Sequence, residues 1–101
     1  MFATARYLTN GKLDNTFGNS GTVLLGGFTA SGAYCMTIDN KNRTLVAGFV
    51  FLAGPYLSIY RLNPDGSVDL SFGNKGNLID LDLQPANAIL IQKDGKIVCS
   101  I

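Results

Sequence analysis

The sequence predicts an all-β fold made of two tandem copies of one small sheet module, and three observations carry that prediction. A block of residues recurs at fixed spacing, β-prone runs alternate with strong turn signals, and the composition disfavours helix. All seven acids are Asp, with no Glu, and the 101 residues include 12 Gly and nine Asn. Asp, Asn and Gly suit turns and caps better than helix interiors, because each offers the backbone alternatives to helical bonding.

The recurrence is the firmest of the three. Residues 6–24 read RYLTNGKLDNTFGNSGTVL and residues 61–79 read RLNPDGSVDLSFGNKGNLI. At an offset of 55, Arg6, Gly11, Asp14, Phe17, Gly18, Asn19 and Gly21 return as Arg61, Gly66, Asp69, Phe72, Gly73, Asn74 and Gly76. A second block aligns at an offset of 53. It sets Met36, Ile38, Asn42, Arg43, Leu45 and Val46 against Ile89, Ile91, Gly95, Lys96, Val98 and Cys99, so the connector in copy two is two residues shorter. Such self-similarity is the signature of a repeat architecture. Copy one covers about residues 2–55 and copy two about 56–101, circularly offset from the sheet boundaries.

Taken in order, the spacing predicts strands near 2–8, 21–28, 33–39, 44–51, 56–62, 76–82, 87–92 and 96–101. Asn10-Gly11 follows the first as a two-residue hairpin signal, and Phe17-Gly18 turns the chain before the second. Asn42 punctuates the third and fourth, where copy two has Gly95; Asn tolerates positive φ better than most residues. Asn63-Pro64-Asp65-Gly66 ends the fifth with Pro at i+1 and Gly where positive φ is needed. In the sixth, Asp80 and Asp82 alternate with Ile79, Leu81 and Leu83, as a half-buried strand requires. Asp94-Gly95 joins the last two as a two-residue hairpin. Four strands per copy make one propeller blade, so the chain carries two four-stranded propeller-like blades, and a ring needs at least four.

The stretches ARYLTNGKLDNTFGNSG (5–21), YRLNPDGSVDLSFGNKG (60–76) and IQKDGKIV (91–98) resemble the bacterial delta-60 repeat. That resemblance covers nearly the whole chain. It implies tandem β-propeller-type arrays, often in large surface or secreted proteins, and it implies no reaction and no catalytic residue.

Several chemistries are disfavoured by composition. The formal charge of +1 and the lack of a basic run give no footprint for nucleic acid or an anionic membrane. No His is present for general acid–base work, and neither a phosphate-binding loop nor a nucleophile elbow occurs. Cys35 and Cys99 lack metal-ligand spacing and read as buried free thiols. The N-terminus lacks the apolar core of a signal peptide, no stretch has the length of a membrane-spanning helix, and the compartment stays unassigned.

What remains are the recurring residues. Arg6 and Arg61 each precede Asp14 and Asp69 by eight positions, a spacing at which a hairpin makes an ion pair within each copy. The alternative, a ring of Arg lining a channel for an anion, leaves a buried charge unpaired and is disfavoured. Asp65-x-Ser67-x-Asp69-x-Ser71 superficially suggests a Ca²⁺ loop, but copy one has Lys12 in the second slot and no bidentate Glu follows. Asp14 and Asp69 are therefore read as turn-forming acceptors. Phe17-Gly18 and Phe72-Gly73 read as core anchors followed by left-handed turns, with Gly11, Gly21, Gly66 and Gly76 as further turn positions. Tyr34, Tyr56 and Tyr60 are candidates for exposed ligand contacts, Asn42-Arg43-Thr44 fits a glycosylation sequon, and Asp80/Asp82 form a solvated carboxylate pair. No catalytic, metal or cofactor site is expected.

The leading expectation is a non-enzymatic propeller module acting as a scaffold or interaction surface. Alternatives are a metal-dependent hydrolase or lactonase of the six-bladed type, and a fragment of a larger surface protein. Open strand edges at both ends predict a homo-oligomer closed head to tail by three or four chains, or neighbouring repeats of a longer array.

Overall fold

The computed structural model describes residues 1–27 and 30–101, which contain eight strands and no helix. These are β1 (Phe2–Ala5), β2 (Thr22–Leu25), β3 (Ser31–Ile38), β4 (Thr44–Phe51), β5 (Pro55–Leu62), β6 (Asn77–Asp80), β7 (Ala88–Ile91) and β8 (Ile97–Ser100). Every pairing is antiparallel. Among the described residues the sheets do not close into a barrel.

All eight expected strands are present, but their grouping differs from two sheets of four. β1–β2 form one pair, β3–β4–β5–β6 a four-stranded sheet, and β7–β8 a second pair. The expected boundary between copies, at residues 55/56, therefore falls inside the four-stranded sheet, at the start of β5. Hairpin turns hold consecutive strands in one sheet, and the chain changes sheet after β2 and again after β6.

Strand lengths are corrected as well. The strand expected over 2–8 stops at Ala5, because Arg6 turns its carbonyl to the Asp14 N–H (2.9 Å). The one expected over 76–82 stops at Asp80, whose carboxylate accepts the Asp82 N–H at 2.9 Å and bends the chain. Asp82 thus belongs to a turn rather than to a strand face. Of the strand expected over 21–28, Phe28 lies outside the described residues.

The hairpins read as two-residue loops are three-residue ones. Gln92 N–H bonds the Lys96 carbonyl and Gly95 N–H bonds the Gln92 carbonyl, both at 2.9 Å. A type I turn followed by one left-handed residue gives this pattern, and Gly95 has φ 88°. Leu8–Lys12 repeats it, as does Asp39–Arg43, where Asn42 takes φ 60° in place of glycine.

The central strand β4 explains the core. Leu45, Val46 and Ala47 are consecutive, apolar and 1%, 2% and 0% exposed, because the sheet is covered on both faces. Val46 points into one layer with Phe2, Phe17 and Leu62, between β1–β2 and the larger sheet. Leu45 and Ala47 point the other way, with Leu57, Ile59, Phe72 and Ala86, against β7–β8. Each such large side chain contributes about 1.5–3 kcal/mol when fully buried. Cys35 and Cys99 are free and lie in the second layer, half-buried rather than buried as expected. Desolvation raises both thiol pKa values.

Candidate functional site

The recurring residues build two corners, one between β1 and β2 and one between β5 and β6. In the first, Asp14 N–H bonds the Arg6 carbonyl, Phe17 N–H the Asp14 carbonyl and Gly21 N–H the Phe17 carbonyl. Fifty-five residues on, the same three bonds link Asp69 to Arg61, Phe72 to Asp69 and Gly76 to Phe72. The six recurring glycines all have positive φ, from 55° to 101°. At Gly18 and Gly73 space is the second constraint: a Cβ would lie 2.3 Å from the Thr22 carbonyl oxygen and 2.6 Å from that of Asn77.

Each corner closes on an Arg–Asp–Phe unit. Arg6 Nε donates to Asp14 Oδ2 at 2.9 Å, and its guanidinium sits 4.4 Å above the Phe17 ring. Arg61 donates to Asp69 Oδ2 at 2.9 Å and sits 4.7 Å above Phe72. Planar guanidinium suits both partners at once, as donor to a carboxylate and as a cation over an aromatic face. The structure thus brings each Arg to its own Asp and Phe.

The second carboxylate oxygen serves the turn. Asp14 Oδ1 accepts the N–H and hydroxyl of Thr16 at 3.0 and 2.5 Å, and Asp69 Oδ1 those of Ser71 at 3.1 and 2.6 Å. Asp65 Oδ1 accepts both groups of Ser67 at 2.9 and 2.6 Å. These hydroxyl bonds, then the backbone and Arg bonds where present, hold the Asp14, Asp65 and Asp69 carboxyls below their ordinary range. The alternating oxygens of 65–71 therefore bond protein donors instead of converging. Among the described residues, no three His, Cys, Asp or Glu side chains gather as a metal site.

Four contacts had no signal in the recurrence. Arg43 donates to Asp39 Oδ2 at 2.7 Å across its hairpin and reaches Asp69 Oδ2 at 3.6 Å. Burial pushes Asp39 up, but its bonds from Arg43 and the Lys41 N–H leave the carboxyl below its ordinary value. Between the corners, Arg6 Nη1 donates to the Pro64 carbonyl and Gly18 N–H to the Asp65 carbonyl, each at 2.7 Å. The Asp–Arg spacing of four in Asp39–Arg43 was a readable clue; the bonds between segments were not.

The two corners also frame a groove of about 440 Å³, lined by residues that include Gly18, Asn19, Thr22, Asp65, Gly66 and Ser67. Its carboxylate, Asp65, accepts the N–H and hydroxyl of Ser67, and its lining side chains include no cation. Of the tyrosines, Tyr34 is exposed and packs against Phe49 with ring centres 5.3 Å apart. Tyr60 is half-buried and meets Phe2 edge-on at 5.0 Å, so its hydroxyl pKa is raised by burial. Asn42 of the sequon sits at a hairpin tip, and the Asp80 carboxylate caps its own turn.

Comparison with curated proteins and with solved structures gave no match. Residues 42–72, from the β3–β4 hairpin into the second corner as far as Phe72, match the model of a family described as a domain of unknown function (DUF5122), beta-propeller. That match, over an all-β chain of antiparallel sheets, supports a β-propeller-type repeat family.

Proposed function

We propose that this chain is a non-enzymatic β-propeller repeat module that serves as a scaffold or interaction surface. The four-stranded sheet has the strand number of one blade, and the flanking pairs each have half of one. One observation carries the functional part: the recurring polar side chains bond one another inside the corners. Arg6 and Arg61 hold Asp14 and Asp69, whose other oxygens hold Thr16 and Ser71. Residues that recur for architecture act this way, whereas catalytic groups converge on a cleft with unmatched protonation or coordination capacity. Three or four chains arranged head to tail would supply about six or eight blades, the size range of closed propellers.

Elemental analysis of the purified protein, combined with assays on lactone and ester substrates, tests the reading. Less than stoichiometric metal and no turnover are expected. Stoichiometric Ca²⁺ or Zn²⁺, or turnover abolished by chelation, would overturn it in favour of a metal-dependent hydrolase.

A further inference from the structure

We propose that β8 of one chain pairs antiparallel with β1 of a second copy, so that β7–β8 and the second copy's β1–β2 form one composite four-stranded sheet. The inference rests on reading the strand pairs as half-blades and adds the register, the contacts and the partner.

The register is already written in the chain. β1–β2 pairs Phe2 with Leu25 and Ala5 with Thr22; 55 residues on, β5–β6 pairs Leu57 with Asp80 and Tyr60 with Asn77. β3–β4 pairs Met36 with Val46 and Ile38 with Thr44; 53 residues on, β7–β8 pairs Ile89 with Cys99 and Ile91 with Ile97. The two outer pairs are therefore register-identical to the two halves of the complete sheet. What they lack is the joint between halves, in which Thr44, Leu45 and Val46 face Leu62, Arg61 and Tyr60. Transposed by the same offsets, that joint sets Ile97, Val98 and Cys99 against Tyr7, Arg6 and Ala5 of the second copy. Among the described residues, β1 pairs only with β2 and β8 only with β7.

Burial at the joint supports this pairing. Tyr7 is 62% exposed and its counterpart Leu62 0%; Val98 is 41% exposed and its counterpart Leu45 1%. These apolar side chains sit at positions that are buried wherever the sheet is complete, and an open strand edge is a template for another strand.

The polar contacts transpose as well. Inside the chain, the first corner donates from Arg6 and Gly18 to the Pro64 and Asp65 carbonyls. The second corner presents Arg61 and the Gly73 N–H, which in the assembly donate to the Thr9 and Asn10 carbonyls of the second copy. A Cβ on Gly66 would lie 2.6 Å from the Gly18 nitrogen, whereas nothing lies within 4 Å of one on Gly11, leaving that approach open. The Arg43–Asp69 contact becomes Lys96 against Asp14 of the second copy, again cation to carboxylate. A second copy of this chain is thus the occupant that matches the edge in register, apolar pattern and charge. The contact is heterologous, so it closes into a ring when the rotation allows.

Sedimentation velocity at micromolar concentration is expected to show assemblies of the wild-type chain. Val98→Lys, at a site exposed in the single chain, should keep the β-sheet circular dichroism and weaken assembly about tenfold or more. Cys35→Ala combined with Ala5→Cys should give an inter-chain disulfide to Cys99 under copper–phenanthroline oxidation. Cys35→Ala with Ala3→Cys, which faces Ile101 in this register, should give at least about tenfold less, because bridging requires close Cα atoms. A monomeric wild type, an unchanged Val98→Lys assembly, or equal cross-linking from positions 3 and 5 would overturn the pairing. Metal-dependent turnover by an assembled chain would overturn the non-enzymatic reading alone, and a metal-free monomer would overturn the pairing and the head-to-tail ring while leaving the non-enzymatic reading in place.

Discussion

The two corners are the same motif in different company. Residues 6–21 and 61–76 share their backbone bonds, their Arg–Asp distance and their cation over an aromatic ring. Yet β1, which enters the first corner, has four residues, and β5, which enters the second, has eight. β5 is flanked on both edges, by β4 and β6, while among the described residues β1 pairs only with β2. Local sequence therefore fixes the turn, and neighbouring strands decide how far the ladder extends from it. Likewise Asp14 is held by one Arg and Asp69 by two, and Gly66 is packed where Gly11 is open.

Glycine substitution should expose the largest difference. Gly11→Ala and Gly66→Ala force the same backbone strain, at φ 88° and 87°, costing about 1–2 kcal/mol. Gly66→Ala adds a clash with the first corner and should lose about 3 kcal/mol or more in all. Urea denaturation of the two variants measures the gap; equal losses would show that the corners do not press on one another in solution.

Arginine removal should give a middle-sized effect. Arg61→Ala leaves Arg43 beside Asp69, whereas Arg6→Ala strips Asp14 of its cation and breaks the bond to Pro64. Both should lower the melting temperature by roughly 3–8 °C, Arg6→Ala the more. An unchanged melting temperature for Arg61→Ala, with loss of binding to an anion, would favour the channel reading.

Acid should separate the corners least. The Asp14 and Asp69 carboxyls lie below their ordinary value, chiefly through the Thr16 and Ser71 hydroxyls. The unfolded chain binds those protons more readily, so the stability they lend is complete above about pH 4 and is lost as pH falls through the lowered values. Melting curves from pH 6 to 2.5 should decline in that acid range, and Asp69→Asn should flatten part of the decline. A steeper decline in the variant would contradict the assignment.

Much of this was legible in the residues. The turn signals located all eight strands, and the spacing of eight between Arg and Asp anticipated both ion pairs. Strand ends were less legible, because Arg6 and Asp80 divert the backbone through bonds that alternation does not encode. The two–four–two grouping was hidden for a different reason: a hairpin signal names its own partner strand but says nothing about the other edge. Arg6 reaching Pro64 and Arg43 reaching Asp69 depend on how sheets stack, which no local pattern carries.

The division of labour between carboxylate oxygens has a consequence for which exchanges the chain tolerates. At positions 10 and 65 only one side-chain oxygen is engaged, so Asn10 and Asp65 are interchangeable there. At 14 and 69 the second oxygen faces a guanidinium, and an amide would turn either its NH₂ toward Arg or its NH₂ toward the turn. Acid and amide are synonyms at one position and opposites four residues later.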